Sequence, residues 1–281
     1  MSQEPKKRSQ AMQRVITGTL LTAVLALALW VGGWLFAILA FLALSLALYE
    51  ELSALRACGH RPVWWVSFVG LAASAPLMMT YSSLSLVPIL TVLLFAVMLQ
   101  VMRRPDPDLV DIEMSALPLL SVLLPGMCLF GLLGTQPRCL QAMLMVMVFT
   151  VAVGGDTLAY LVGSLVGGPK LCPSISPNKT VAGAVGGLLG SVVCTALTGA
   201  IFSWCLPSYD GFPPLWANVL VGLFGGVAAQ MGDLFASLVK RHCKVKDFGH
   251  IFPGHGGMLD RMDSVVFAAV VLYCYRVILA G

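Results

Sequence analysis

The side chains best suited to chemistry lie in one stretch, Gln230 to Ser264, which reads QMGDLFASLVKRHCKVKDFGHIFPGHGGMLDRMDS. Asp260 and Asp263 are three apart at the start of an apolar run, so a helix beginning there puts both carboxylates on one face at its N-terminus. Paired carboxylates at that spacing suit a hard divalent cation. Mg²⁺ takes one or two carboxylates together with substrate phosphate oxygens, and Lys240, Arg241, Lys246 and Arg261 are close in sequence to hold the remaining phosphate charge. Asp233, Ser237 and Lys240 recur at helical spacing, with Arg241 beside them, and so form one stripe of a carboxylate, a hydroxyl and two cations. The plainer role for Asp233 is an acid neutralised by a neighbouring cation inside lipid. The turn PGHGG, Pro253 to Gly257, allows close backbone approach to a ligand and exposed N–H groups around His255, Gly256 and Gly257, although such turns also serve only to reverse the chain. A zinc alternative would use His242, Cys243, His250 and His255. Their spacing fits no compact structural zinc pattern, and the carboxylates favour Mg²⁺.

A second constellation precedes it, GGPKLCPSISPNKT, with Lys170, Ser174, Ser176, Asn178, Lys179 and Thr180. Hydroxyls and lysines ahead of the glycine-rich run Gly183, Gly186, Gly187 form an anion site if a helix starts there. Asp156, one turn from Tyr160, lies inside the preceding apolar run, and either a packing acid or a functional one fits that position.

These residues must be held by helices in a bilayer. The chain has 281 residues, 58% hydrophobic and 11% charged, with mean hydropathy +0.90, against about 25% charged residues in soluble domains. The apolar residues come in runs long enough to cross about 30 Å of hydrocarbon. Breaks at Gly, Pro and charge give nine candidate spans: 15–31, 33–49, 63–80, 84–102, 115–134, 140–164, 181–206, 215–239 and 263–280. With the N-terminus inside, the cytoplasmic segments hold 15 of the 17 Lys and Arg, as the positive-inside rule requires of a C-terminus outside. The expected fold is therefore all-α and polytopic, with about nine transmembrane helices. It divides into a basic cytoplasmic N-terminus at 1–14, five membrane helices over 15–134, and a catalytic membrane region over 135–281 with two cytoplasmic polar loops. The first span reads as a retained signal anchor. The eight cysteines show no CxxC and suggest no disulfide framework. Net charge of +4 is topological in its placement, so nucleic acid is not an expected partner. Of the 13 acidic residues, Glu4, Glu50, Glu51, Asp106, Asp108, Asp111, Glu113 and Asp210 fall in polar ends and loops; Asp156, Asp233, Asp247, Asp260 and Asp263 remain.

The run Ser237 to Asp263, SLVKRHCKVKDFGHIFPGHGGMLDRMD, resembles the signature of phosphatidate cytidylyltransferases, or CDP-diacylglycerol synthases, with its K-R, K-D, G-H-G-G and D-R-x-D elements in register. KLCPSISPNKT with Asp156-Thr157 upstream is similar to a second family element, while the first five spans agree only in hydropathy. The resemblance implies transfer of a cytidylyl group from CTP to phosphatidate, giving CDP-diacylglycerol and pyrophosphate, with Mg²⁺ required and a second cation allowed. It implies Asp233, Asp260 and Asp263 at the metal, and phosphate binding by Lys240, Arg241, Lys246 and Arg261. It further implies that Ser176, Lys179, Thr180 and Ser237 complete the substrate site, that His255, Gly256 and Gly257 shape the loop over the nucleotide, and that Asp247 orients the lysines. Expected partners are CTP, phosphatidate and membrane lipid, with a homodimer compatible. The expected location is a bacterial inner membrane with the site on the cytoplasmic side.

Two positions depart from the family pattern. Relatives commonly carry Glu where this chain has Ala182 and Ala236, so a divergent, slower member is one alternative reading. An ion-coupled lipid transporter using Asp156 and Asp233 is another, but the polar cluster lies in cytoplasmic loops and no internal repeat is evident. A transferase that consumes CDP-diacylglycerol would carry a D-G-x-x-A-R pattern, which does not occur here.

Overall fold

A computed structural model describes residues 4–81, 83–252 and 256–280. The chain is almost wholly helical: α1 (Glu4–Val31), α2 (Gly33–Ala57), α3 (Trp64–Tyr81), α4 (Ser83–Met102), α5 (Leu109–Pro118), α6 (Leu124–Leu133), α7 (Arg138–Val166), α8 (Val181–Cys205), α9 (Leu215–His242) and α10 (Leu259–Ala280). Five helical stretches among the described residues are long and apolar enough to cross a membrane: Gly33–Ala57, Leu109–Leu133, Arg138–Val166, Val181–Cys205 and Leu215–His242. Among the described residues the sheet is confined to one antiparallel pair, β1 (Lys170–Cys172) and β2 (Ser176–Thr180), built from the polar loop ahead of α8.

The helices α7, α8, α9 and α10 pack together as the half of the molecule that carries the polar loops. Small residues let α7 and α8 approach closely. A Cβ at Gly190 would lie 2.6 Å from the Gly154 carbonyl oxygen, and one at Gly186 2.6 Å from Val162 Cβ. The glycines of α8 thus serve its close packing on α7.

The helices also overrun the expected spans at their polar ends. α2 continues to Ala57, eight residues beyond the expected end of its span, because Leu44, Leu48, Leu52 and Leu55 keep a helical apolar stripe, each with no exposed surface. Glu50 and Glu51 therefore do not lie in a polar end: they are 3% and 1% exposed inside the helix bundle. Asp111 is likewise buried, held by Arg104 at 2.5 Å and Arg61 at 3.1 Å. Between α5 and α6 the helix widens into a π turn, Leu119–Leu123, which puts the Ser121 hydroxyl 2.8 and 2.9 Å from the two Glu51 oxygens. A buried carboxylate that keeps a hydroxyl partner avoids the full cost of desolvation.

Candidate active site

The site grows from three helix ends and the β hairpin. Thr180 ends β2 and caps α8, its hydroxyl accepting the Gly183 N–H at 3.0 Å, as expected of Thr at a helix start. This turn fixes the residue before it. Lys179 points across to α9, and its Nζ lies 2.5 Å from Asp233 Oδ2, each side chain 28% exposed. The loop lysine and the α9 acid, far apart in sequence, are one ion pair.

Beside that pair opens a cavity of about 450 Å³, lined by residues that include Asp156, Tyr160, Asn178, Lys179, Gln230 and Asp233. Its size falls within the range of small-molecule sites. Asp156 is exposed, lines this cavity, and stands in the field of Asp233, Lys179 and Arg261. The Gln230 amide donates to the Ala184 carbonyl oxygen at 2.9 Å and ties α9 to α8 beneath the cavity.

The second half of the site is the segment before α10. Asp260 is 9% exposed and fully engaged: Oδ1 accepts Lys240 Nζ at 2.7 Å, and Oδ2 accepts the N–H groups of Phe248 at 2.9 Å and Gly257 at 3.0 Å. Glu50 reaches in from α2 and accepts the N–H groups of Met258 at 3.0 Å and Leu259 at 2.8 Å, meeting the unpaired donors at the start of α10. Of the turn Pro253 to Gly257, the Gly257 N–H donates to Asp260, and the Met258 and Leu259 donors that follow it go to Glu50. Tight geometry enforces this. Gly256 has φ of +80°, where side chains are disfavoured, and a Cβ at Gly257 would lie 2.4 Å from Glu50 Oε2.

Asp263, one turn into α10, is 9% exposed, accepts the Ser264 N–H at 2.7 Å, and lies in the field of Asp233 and Asp156. The carboxylates of Asp233, Asp260 and Asp263 do not converge as one ligand group. Among the described residues, the group of three or more metal-binding side chains whose ligand atoms all lie within 4.8 Å is Cys58, His60 and His242. Ser237 is buried on α9. Arg241 donates from Nε to the Ile175 carbonyl oxygen at 3.2 Å and so joins α9 to the hairpin turn. Ser176 is half-buried in β2, Lys246 and Arg261 are exposed, and Asp247 lies beside Gly256. His255 lies outside the described residues, and His250 is exposed.

Sequence reasoning missed Glu50 and Glu51. The signal was the leucine stripe, which runs through them at helical spacing and continues to Leu55. Ala236 faces the same region: with Glu51, Ser121, Asp263 and Phe267 it lines a narrow space of about 10 Å³. Glu51 thus brings a carboxylate from α2 beside Ala236, one of the two positions where the family resemblance leads to an expectation of Glu.

Residues 12–279 match the cytidylyltransferase family. The chain belongs to that family. Among curated relatives, a protein of Brucella melitensis biotype 1 named phosphatidate cytidylyltransferase is 42% identical over 135 residues, 48% of this chain and 47% of that protein. One of the same name from Staphylococcus saprophyticus is 40% identical over 158 residues, 56% of this chain and 57% of its own. A third, from Bacillus subtilis, is 43% identical over 118 residues, 42% of this chain and 41% of its own. The chain thus spans about half the length of the curated relatives it matches.

Proposed function

We propose that the protein transfers the cytidylyl group of CTP to phosphatidate, forming CDP-diacylglycerol and pyrophosphate at the cytoplasmic face of a bacterial inner membrane. The observation that carries this reading is the Lys179–Asp233 pair on the wall of a cavity that opens beside apolar helices. Such a site takes a substrate whose phosphate is polar and whose acyl chains remain in lipid. The name shared by the relatives supplies the substrate class.

The reaction asks for alignment and charge neutralisation. A phosphatidate oxygen, already anionic, attacks the α-phosphorus of CTP; the new P–O bond forms as the α–β bond breaks, and pyrophosphate leaves with its electron pair. Fixed cations lower the cost of bringing these anions together. Lys179 and Lys240 are the held cations of the site, each aimed by a carboxylate, while Arg241, Lys246 and Arg261 form its basic mouth. Ser176, Thr180 and Ser237 border the same region. Asp260 acts through Lys240 and the loop it ties, and in this respect is a positioning residue. An oxygen-only donor set fits Mg²⁺, which would be held by Asp233 and Asp263, with Asp156 near, and completed by substrate phosphates. Bound there, Mg²⁺ supplies neutralisation of the triphosphate charge.

The test is incubation of the detergent-purified protein with labelled CTP, phosphatidate and Mg²⁺, with and without chelator. A labelled lipid and pyrophosphate formed only with metal is the expected result. Absence of turnover where the Bacillus subtilis relative turns over sinks the proposal.

A further inference from the structure

The C-terminal ends of α2 and α9 meet, and the side chains that meet there are nitrogen and sulfur donors. Cys58 caps α2, and the turn beyond it is closed by the Gly59 N–H to the Arg56 carbonyl oxygen at 3.0 Å and the His60 N–H to the Leu55 carbonyl oxygen at 3.1 Å. Gly59 has φ of +100°, which returns His60 toward the helix it has just left. His242 is the last residue of α9. His242 is thus on a helix, and Cys58 and His60 are on the hydrogen-bonded turn that closes one, as a preformed site needs.

The atoms converge. His60 Nε2 lies 2.9 Å from His242 Nε2, with ring planes 11° apart, and the two nitrogens and the Cys58 sulfur all fall within 4.8 Å of one another. In tetrahedral zinc sites, with Zn–N of about 2.0–2.1 Å and Zn–S of about 2.3 Å, ligand atoms stand roughly 3.3–3.7 Å apart. Small side-chain rotations supply that spacing. The three groups are half-buried or exposed, so an ion has an entry path. Imidazole and thiolate select borderline-soft ions over Mg²⁺, whose oxygen ligands lie elsewhere in the molecule.

We propose that Cys58, His60 and His242 hold a divalent cation of the zinc class, separate from the catalytic site. Such an ion fastens α2, which carries Glu50, to α9, which carries Lys240. Two metal-free arrangements compete: a proton shared between the two imidazoles, and a disulfide between Cys58 and Cys243, whose sulfurs are 3.4 Å apart.

Cobalt distinguishes them. The full chain, stripped of metal in detergent under reducing conditions and titrated with Co²⁺, should bind one ion with tetrahedral ligand-field bands and a thiolate charge-transfer band, and Zn²⁺ should displace it. Cys58→Ser should abolish the charge-transfer band. His60→Ala and His242→Ala should each weaken binding by more than about 100-fold, beyond the loss typical of a merely supporting residue. Asp263→Asn and Cys205→Ser should leave the spectrum as it is. A wild-type chain that gives no such spectrum, a band that survives Cys58→Ser, or recovery of a Cys58–Cys243 crosslinked peptide from protein that takes up no cobalt overturns the proposal.

Discussion

Lys179 on β2 and Asp233 on α9 are joined by an ion pair of 2.5 Å at the wall of the cavity that Asp156 also lines, so the hairpin and the helix present one charged surface and not two. Neither segment alone defines the site. The lysine is aimed by Thr180, which caps α8, and the acid by the packing of α9 on α8 through Gln230.

Removal of that lysine's charge should act on turnover more than on folding. Lys179→Met is expected to lower CTP turnover by about 100-fold, the scale set by loss of one fixed donor to a developing charge. Lys179→Arg should recover part of it. Steady-state assays paired with thermal unfolding check this: the pair is partly exposed, so the unfolding temperature should move little.

Asp260 and Asp263 should separate cleanly. Asp260→Asn leaves Lys240 without its carboxylate and sets an amide group against the Phe248 and Gly257 N–H donors, so both stability and turnover should fall, stability by about 3 kcal/mol on the scale for broken buried pairs. Asp263→Asn removes fewer contacts and should lose turnover with a much smaller stability change. Denaturation curves and assays on the two variants decide it; equal stability losses contradict the division of roles.

Glu50→Ala should loosen the start of α10. Two backbone donors lose their acceptor, at a cost of about 1–2 kcal/mol by analogy with helix caps, and Glu50→Gln should fall between. Hydrogen exchange at Met258 and Leu259 reads the effect directly. Unchanged protection in Glu50→Ala would mean other groups hold those amides.

The family pattern suggests Glu at 182 and 236, and the two sites should respond differently. Ala182 is half-buried at the start of α8 and should accept Glu with little change. Ala236 is 5% exposed against a space of about 10 Å³ already shared by Glu51 and Asp263. Ala236→Glu should therefore cost both stability and turnover through crowding and like charge, and the exchange Glu51→Ala with Ala236→Glu should recover part of each. Full activity in the single variant Ala236→Glu would remove the case for Glu51 as the substitute carboxylate.

Much of this arrangement was legible in the chain. The helices fall close to the apolar runs because hydropathy and helical spacing are local, and the K-R, K-D and D-R-x-D elements point to the segment that contains Lys240, Asp260 and Asp263. What was not legible depended on contacts between distant segments. Two adjacent glutamates after an apolar run read as a helix end in water, and only the packing of α2 against Gly249 and residues 257–259 turns Glu50 inward. The glycines of α8 carry a similar ambiguity, and it is the neighbouring atoms of α7 that show a close helix crossing. Cys58 and His60 carry no local metal pattern at all, because their companion, His242, is supplied from the other end of the chain.

The Glu50 contact bears on what a minimal form of this protein can be. The segment after residue 135 holds the polar motifs read from the sequence and each side chain proposed to meet phosphate, although the family match extends over residues 12–279. Yet a fragment cut there would begin its last helix with the Met258 and Leu259 amides lacking their acceptor, because that acceptor belongs to the second helix of the chain. The second helix is thus part of the framework of the proposed site, and the stretch most easily recognised in the sequence is not a unit that can be lifted out and expected to work.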